Sequence, residues 1–140
     1  MKNGEIITVY YAGPREFGSQ RVHIPADGDR LATLYAEIER QNSLGRYVVA
    51  VRMCFQDFVI NADGIYAVPD SFDVWGAARD ASEALTANPE ERKKLTEDVQ
   101  AMAGVTRDQA QRAVDLFLVS YRDPAVPADL DEIVELAKVL

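Results

Sequence analysis

His23 and Cys54 are the only histidine and the only cysteine of the chain, and they bound the chemistry it can carry. A single cysteine closes no internal disulfide, and one residue of each kind cannot assemble the Cys/His ligand set of a zinc site. Nucleophilic catalysis needs a base held beside the nucleophile, yet spacing places no serine or acid pair next to either residue. His23 therefore reads as an ordinary half-exposed strand residue, and Cys54, next to Phe55, as a small buried apolar one. A glycine-rich phosphate loop is also lacking. These features predict a chain with no catalytic residues, no metal and no cofactor.

The elements that would position any binding residues come from periodicity. A chain of 140 residues, 48% of them hydrophobic, suits one domain or a small domain with an appendage and can bury a core. Ile6 to Tyr11 are β-branched or aromatic, Gly13-Pro14 breaks the run, and Arg21 to Ile24 form a returning strand. Asp27, Gly28 and Asp29 signal a turn and cap, after which Leu31, Leu34, Tyr35 and Ile38 fall at helical spacing in a helix ending near Gly45. Tyr47 to Met53, Phe58 to Ile60 and Ile65 to Val68 are strand-like, the last two joined through Asn61-Ala62-Asp63-Gly64. Beyond Pro69 the pattern is helical. Val74, Ala78, Ala81 and Leu85 mark one face, Pro89 with Glu90 and Glu91 opens a helix, and capping boxes are expected at Thr106 with Gln109 and at Asp129 with Glu132.

The first half carries a resemblance. Tyr11-Ala12, Arg15-Glu16, Gly18, Val22 to Ile24, Pro25-Ala26 and the helix from Leu31 resemble the opening of the β-grasp sulphur carriers, the small subunit of molybdopterin synthase and the thiamine-pathway carrier. The resemblance implies an N-terminal β-grasp, or ubiquitin-like, mixed sheet with one crossing helix over residues 1–70; with the helical pattern that follows, the protein expected is α+β, this sheet followed by an acidic helical bundle over residues 71–140. Those carriers act through a C-terminal Gly-Gly tail, whereas this chain has no Gly-Gly and reads "PDSFDVWG" before continuing into a helix. The scaffold is thus expected without the chemistry, unless cleavage after Gly76 exposes a carrier tail.

What such a scaffold offers is a surface. Alternation predicts Ile7, Val9, Val22, Ile24, Val49, Val51 and Met53 facing the helix, and Thr8, Tyr10, Arg21, His23, Ala50 and Arg52 on the opposite face. An aromatic, two arginines and a histidine suit a protein interface. In the second half, residues 95–118 resemble the helical hairpin of the nucleoid protein HU and the helix-turn-helix of lac-repressor-type regulators. Gly104 is expected to permit a left-handed turn, Val105 to plug the corner, Thr106 to cap, and Ala110 and Ala113 to let the helices approach. As a DNA reader, this hairpin would use Arg107, Gln111 and Arg112. Asp108, Gln100 and the acidic segment that follows depart from both patterns. Arg92-Lys93-Lys94 is the one basic run and reads as a solvated helix face.

Residues 1–50 carry six basic and six acidic side chains, so the whole excess of −8 lies beyond residue 50. Such a half repels phosphate at long range and disfavours nucleic acid. No apolar run approaches a membrane span, and the chain is expected to be cytoplasmic. The function expected is protein–protein binding: a small acidic inhibitor or adaptor, of the bulk properties of anti-defence or immunity proteins, engaging a larger protein. Its contacts would come from the sheet face or from the acidic end at Asp129, Asp131 and Glu132, with a homodimer through the helical half as a further partnership. DNA binding and a processed sulphur carrier are the alternatives.

Overall fold

The computed structural model describes residues 4–61, 64–120 and 129–140. The protein is α+β, with five strands followed in the main by helices. Strands β1 (Glu5–Gly13) and β2 (Glu16–Ile24) form a hairpin, helix α1 (Arg30–Ser43) follows, and β3 (Tyr47–Met53), β4 (Gln56–Asn61) and β5 (Gly64–Val68) complete the sheet. Helices α2 (Val74–Thr86), α3 (Pro89–Ala103), α4 (Arg107–Val119) and α5 (Leu130–Val139) make up the second half.

The sheet order is β2-β1-β3-β4-β5, and all four junctions are antiparallel. The mixed sheet expected of the first half is therefore not observed among the described residues. Its physical reason is the hairpin chemistry: β4 returns beside β3 through a two-residue turn and β5 beside β4, so β1 keeps β2 and β3 as its neighbours. Both are antiparallel to β1, which makes β2 and β3 run the same way, and α1 is the crossover between them.

Each face of the sheet has its own core. Leu34 and Ile38 of α1 pack on Ile7, Val9, Val22, Ile24, Val48, Val51 and Met53. On the other face Val74, Ala78, Ala81 and Leu85 of α2, with Val119 of α4, cover Tyr10, Ala12, Tyr47, Val49 and Ala50. The side assignment read from alternation holds for six helix-facing residues and fails for Val49. Tyr10 pairs with Ala50 but Tyr11 with Val48, so Val49 is the extra residue of a β-bulge, and it joins Ala50 on the α2 side.

Behind α2, a third cluster joins α3, α4 and α5 through Val99, Ala110, Ala113, Val114, Ile133, Val134 and Ala137. Leu118 of α4 touches both this cluster and the sheet core, so the helical half is packed against the sheet through α2 and α4. The α3–α4 corner forms as its residues dictate: Gly104 takes φ +67° and the Thr106/Gln109 capping box is complete. At α5, Asp129 caps Asp131 N at 2.9 Å, and Glu132 takes no part in that bond.

Cys54 and Phe55 form the β3–β4 turn, with φ of 52° and 62°. Both central residues of this two-residue loop are left-handed, a backbone that Asn-Gly adopts readily and Cys-Phe does not. Cys54 is exposed rather than buried because it sits in this turn, and Phe55 is 91% exposed. Replacing the pair by Asn-Gly should raise stability by about 1 kcal/mol, measured as a higher urea midpoint with unchanged slope. An unchanged or lower midpoint would show that the turn is not strained.

Candidate functional site

Helix α2 lies across one end of the sheet face. Its position is fixed by its own cap, Asp73 accepting from Gly76 N at 2.9 Å, and by two ties to the β1–β2 turn. Ser82 Oγ donates to Gly13 O at 2.8 Å, and Arg15 N donates to Thr86 Oγ1 at 2.7 Å. Gly76 is buried in the first turn, where an added Cβ would run into the Asp73 carboxylate. Its glycine thus has a structural cause inside α2, and the peptide bond after it belongs to a folded helix.

Among the described residues, the other end of the same face is not covered. The register sets Arg21, Thr8, Arg52 and Asp57 in one row across β2, β1, β3 and β4, and His23 beside Ile6 in the next row. Arg21, His23 and Arg52 are exposed, Thr8 is half-buried, and Ile6 is 58% exposed. Where α2 begins, Trp75 stands edge-on to Tyr10 with ring centroids 5.3 Å apart, and it remains 47% exposed. Asp57 is buried, 3.7 Å from the Arg52 guanidinium, and its Oδ1 has no hydrogen-bond partner among the described residues.

Four of the five sheet residues expected to bind are thus brought together: Thr8, Arg21, His23 and Arg52. Tyr10 is not available, because α2 covers it. Burial first, then the nearby Asp57 carboxylate, push its phenol above the ordinary tyrosine range. Asp129, Asp131 and Glu132 lie on the first turn of α5, where a cap and acids next to the helix dipole already account for them.

The thiol of Cys54 donates to Glu5 Oε2 at 3.4 Å, and this hydrogen bond, with a smaller desolvation effect, holds it above the usual thiol range. A thiol so held is a poorer nucleophile at neutral pH. Among the described residues no three His, Cys, Asp or Glu side chains are placed to hold a metal ion, and no helix is long and apolar enough to cross a membrane.

The arrangement that sequence reasoning missed is buried between the sheet and the helical hairpin. Asp115 of α4, 1% exposed, accepts from Arg92 Nε at 2.6 Å and Arg92 Nη2 at 2.7 Å, and from the Tyr47 hydroxyl at 2.7 Å. Desolvation first, then the carboxylate of Asp115, raise the Tyr47 phenol far above its ordinary value. Arg92 accordingly departs from the expected solvated face: it turns inward while Lys93 and Lys94 stay exposed. The signal available in the sequence was Asp115 itself, a lone acid in the apolar run from Ala113 to Val119.

A cavity of about 400 Å³ adjoins this network, lined in part by Glu16, Gly45, Tyr47 and Arg92. The DNA-reading candidates divide between two other hollows: Arg107 and Gln111 face Arg92 and Lys93, whereas Arg112 lies with Glu39, Asn42 and Ser43. No protein-family model matches the chain, and no curated protein or solved structure is significantly similar to it.

Truncating Asp115 to Ala should cost about 3 kcal/mol by leaving Arg92 unpaired, and Tyr47→Phe about 1 kcal/mol, both read by urea unfolding. Because the Tyr47 phenol is raised in the folded state, its contribution is full below about pH 10 and declines as pH rises beyond it. Tyr47→Phe should therefore flatten the alkaline fall in stability. Equal alkaline slopes in the two proteins would count against the network.

Proposed function

We propose that the chain is a non-catalytic protein-binding module, a small inhibitor or adaptor that docks on a larger protein through the uncovered half of its sheet. One observation carries this reading: two arginines, Arg21 and Arg52, and the His23 imidazole share, among the described residues, an open face with exposed Ile6 and are bordered by exposed Trp75. Arginine and tryptophan are the residues on which interface energy concentrates, and a rigid strand scaffold presents them with little ordering cost.

The partner surface that complements this face is acidic with an apolar centre. Cations in an otherwise acidic chain orient the approach of such a surface and set its register. Hairpin, helix and further strands follow the order of the β-grasp carriers, and that likeness is offered as a proposal about the scaffold alone. DNA binding is the weaker alternative, since Arg107 and Gln111 line one hollow and Arg112 another beside Glu39, in a chain of net charge −8.

The test is site-specific photo-crosslinking in cells that make the protein, with the crosslinker at Arg21 or, as a control, at Glu97 on α3. A single stoichiometric protein adduct is expected from position 21 and none from 97. Arg52→Gln should weaken capture about tenfold through loss of one charge-assisted contact. Adducts equally strong from both positions, or insensitive to Arg52→Gln and to Trp75→Ala, would remove this face as the docking site.

A further inference from the structure

We infer that the hollow between the first turns of α3 and the start of α4 is a binding site for a phosphate group. Six residues line it: Pro89, Arg92, Lys93, Thr96, Arg107 and Gln111. Three of them are cations and none is acidic, in a chain whose net charge is −8.

Two of the three cations are not spent elsewhere. Among the described residues neither Lys93 nor Arg107 makes an ion pair, and the Gln111 side-chain amide has no partner. Arg92 is different and complements them. Its Nε and Nη2 are held by the buried Asp115 carboxylate, which is itself fixed by Tyr47, so the guanidinium is locked in place. Three of its five N–H groups, two on Nη1 and one on Nη2, are left out of these bonds. Thr96, 3% exposed, bonds Arg92 O through its hydroxyl at 2.8 Å and stiffens the floor beneath.

A pre-set guanidinium edge, a second arginine, a lysine and an amide are the donor set that tetrahedral oxyanions take. Size narrows the ligand. The cavity holds about 200 Å³, below the ~300–1,000 Å³ of sites that enclose drug-sized ligands. It matches inorganic phosphate or the head of a small phosphate monoester rather than a whole nucleotide. A nucleic-acid duplex is disfavoured, because its backbone needs cations spaced along an open face, whereas these line one hollow and Arg112 lines a separate one with Glu39.

Titration of the ¹⁵N-labelled full chain with inorganic phosphate, at ionic strength held constant with chloride, tests the site. Saturable shifts confined to residues 92–96 and 107–111 are expected. Lys93→Gln and Arg107→Gln, both exposed positions that leave the fold intact, should each raise the midpoint about tenfold. Glucose 6-phosphate added in place of inorganic phosphate separates the two sources, since tighter binding of the ester identifies a phosphate monoester and tighter binding of the free ion identifies phosphate itself. Shifts that never saturate, that chloride reproduces, or that both variants leave unchanged would overturn the site. Tighter binding of a short DNA duplex, with Arg112 perturbed as well, would overturn the small-ligand assignment in favour of nucleic acid.

Discussion

The Asp115 carboxylate is the constraint from which much of the second half follows. A charge removed from water is tolerated only when its lone pairs are taken up, and here Arg92 and Tyr47 take them from two different elements. One atom pair thereby ties α3 to α4 and α4 to the start of β3. Apolar side chains of equal volume would fill the same space with less penalty, but they would allow the hairpin to slide on the sheet. Bidentate geometry does not allow this, because a small slip breaks two short hydrogen bonds at once. The direction in which Arg92 points, and so the hollow beside it, is a by-product of that pairing.

The open face has an equally simple geometric origin. Strands β1 and β2 are nine residues long, about 30 Å at the rise of an extended chain, whereas a helix with its side chains is about 10 Å across. A single helix crossing the strands can cover only part of their length. The turn-to-helix bonds at Gly13 and Arg15 pull α2 to one end, burying Tyr10 and Ala12 and leaving Thr8, Ile6 and their neighbours outside. The residue types agree with this division in the main: apolar where α2 lies, cationic and polar apart from Ile6 where it does not.

Much of this was legible in the sequence, and the failures have particular causes. Alternation located Ile7, Val9, Val22, Ile24, Val51 and Met53 because a polar or opposite-facing residue separates them. It misplaced Val49 because the run Val48-Val49-Ala50-Val51 is apolar at every position, so a one-residue slip leaves no trace in the pattern. Gly104 and Thr106 were readable since turn and cap chemistry is local, whereas Cys54-Phe55 violates turn preferences and so resembled buried strand sequence. The antiparallel β1–β3 junction and the inward turn of Arg92 depend on contacts more than twenty residues apart, about which local composition says nothing. Grouping Thr8, Arg21, His23 and Arg52 was possible only because strand parity survives in the region ahead of the bulge.

Charge links the two cationic places to what they can select. The field of the whole chain is acidic and acts at long range, while exposed arginines act over roughly a Debye length, ~8–10 Å in physiological salt. A polyanion meets the long-range field first and is repelled before any local cation can compensate. A compact phosphate, or a few carboxylates on an otherwise neutral protein surface, carries too little charge to be turned away and still gains the local contact. On the two proposed readings, an acidic body with small, rigidly held cationic spots would discriminate by the extent of negative charge rather than by its presence. That discrimination requires the spots to be preformed, which is what the Asp115 network gives Arg92 and what the regular β1–β2–β3 register gives Arg21 and Arg52.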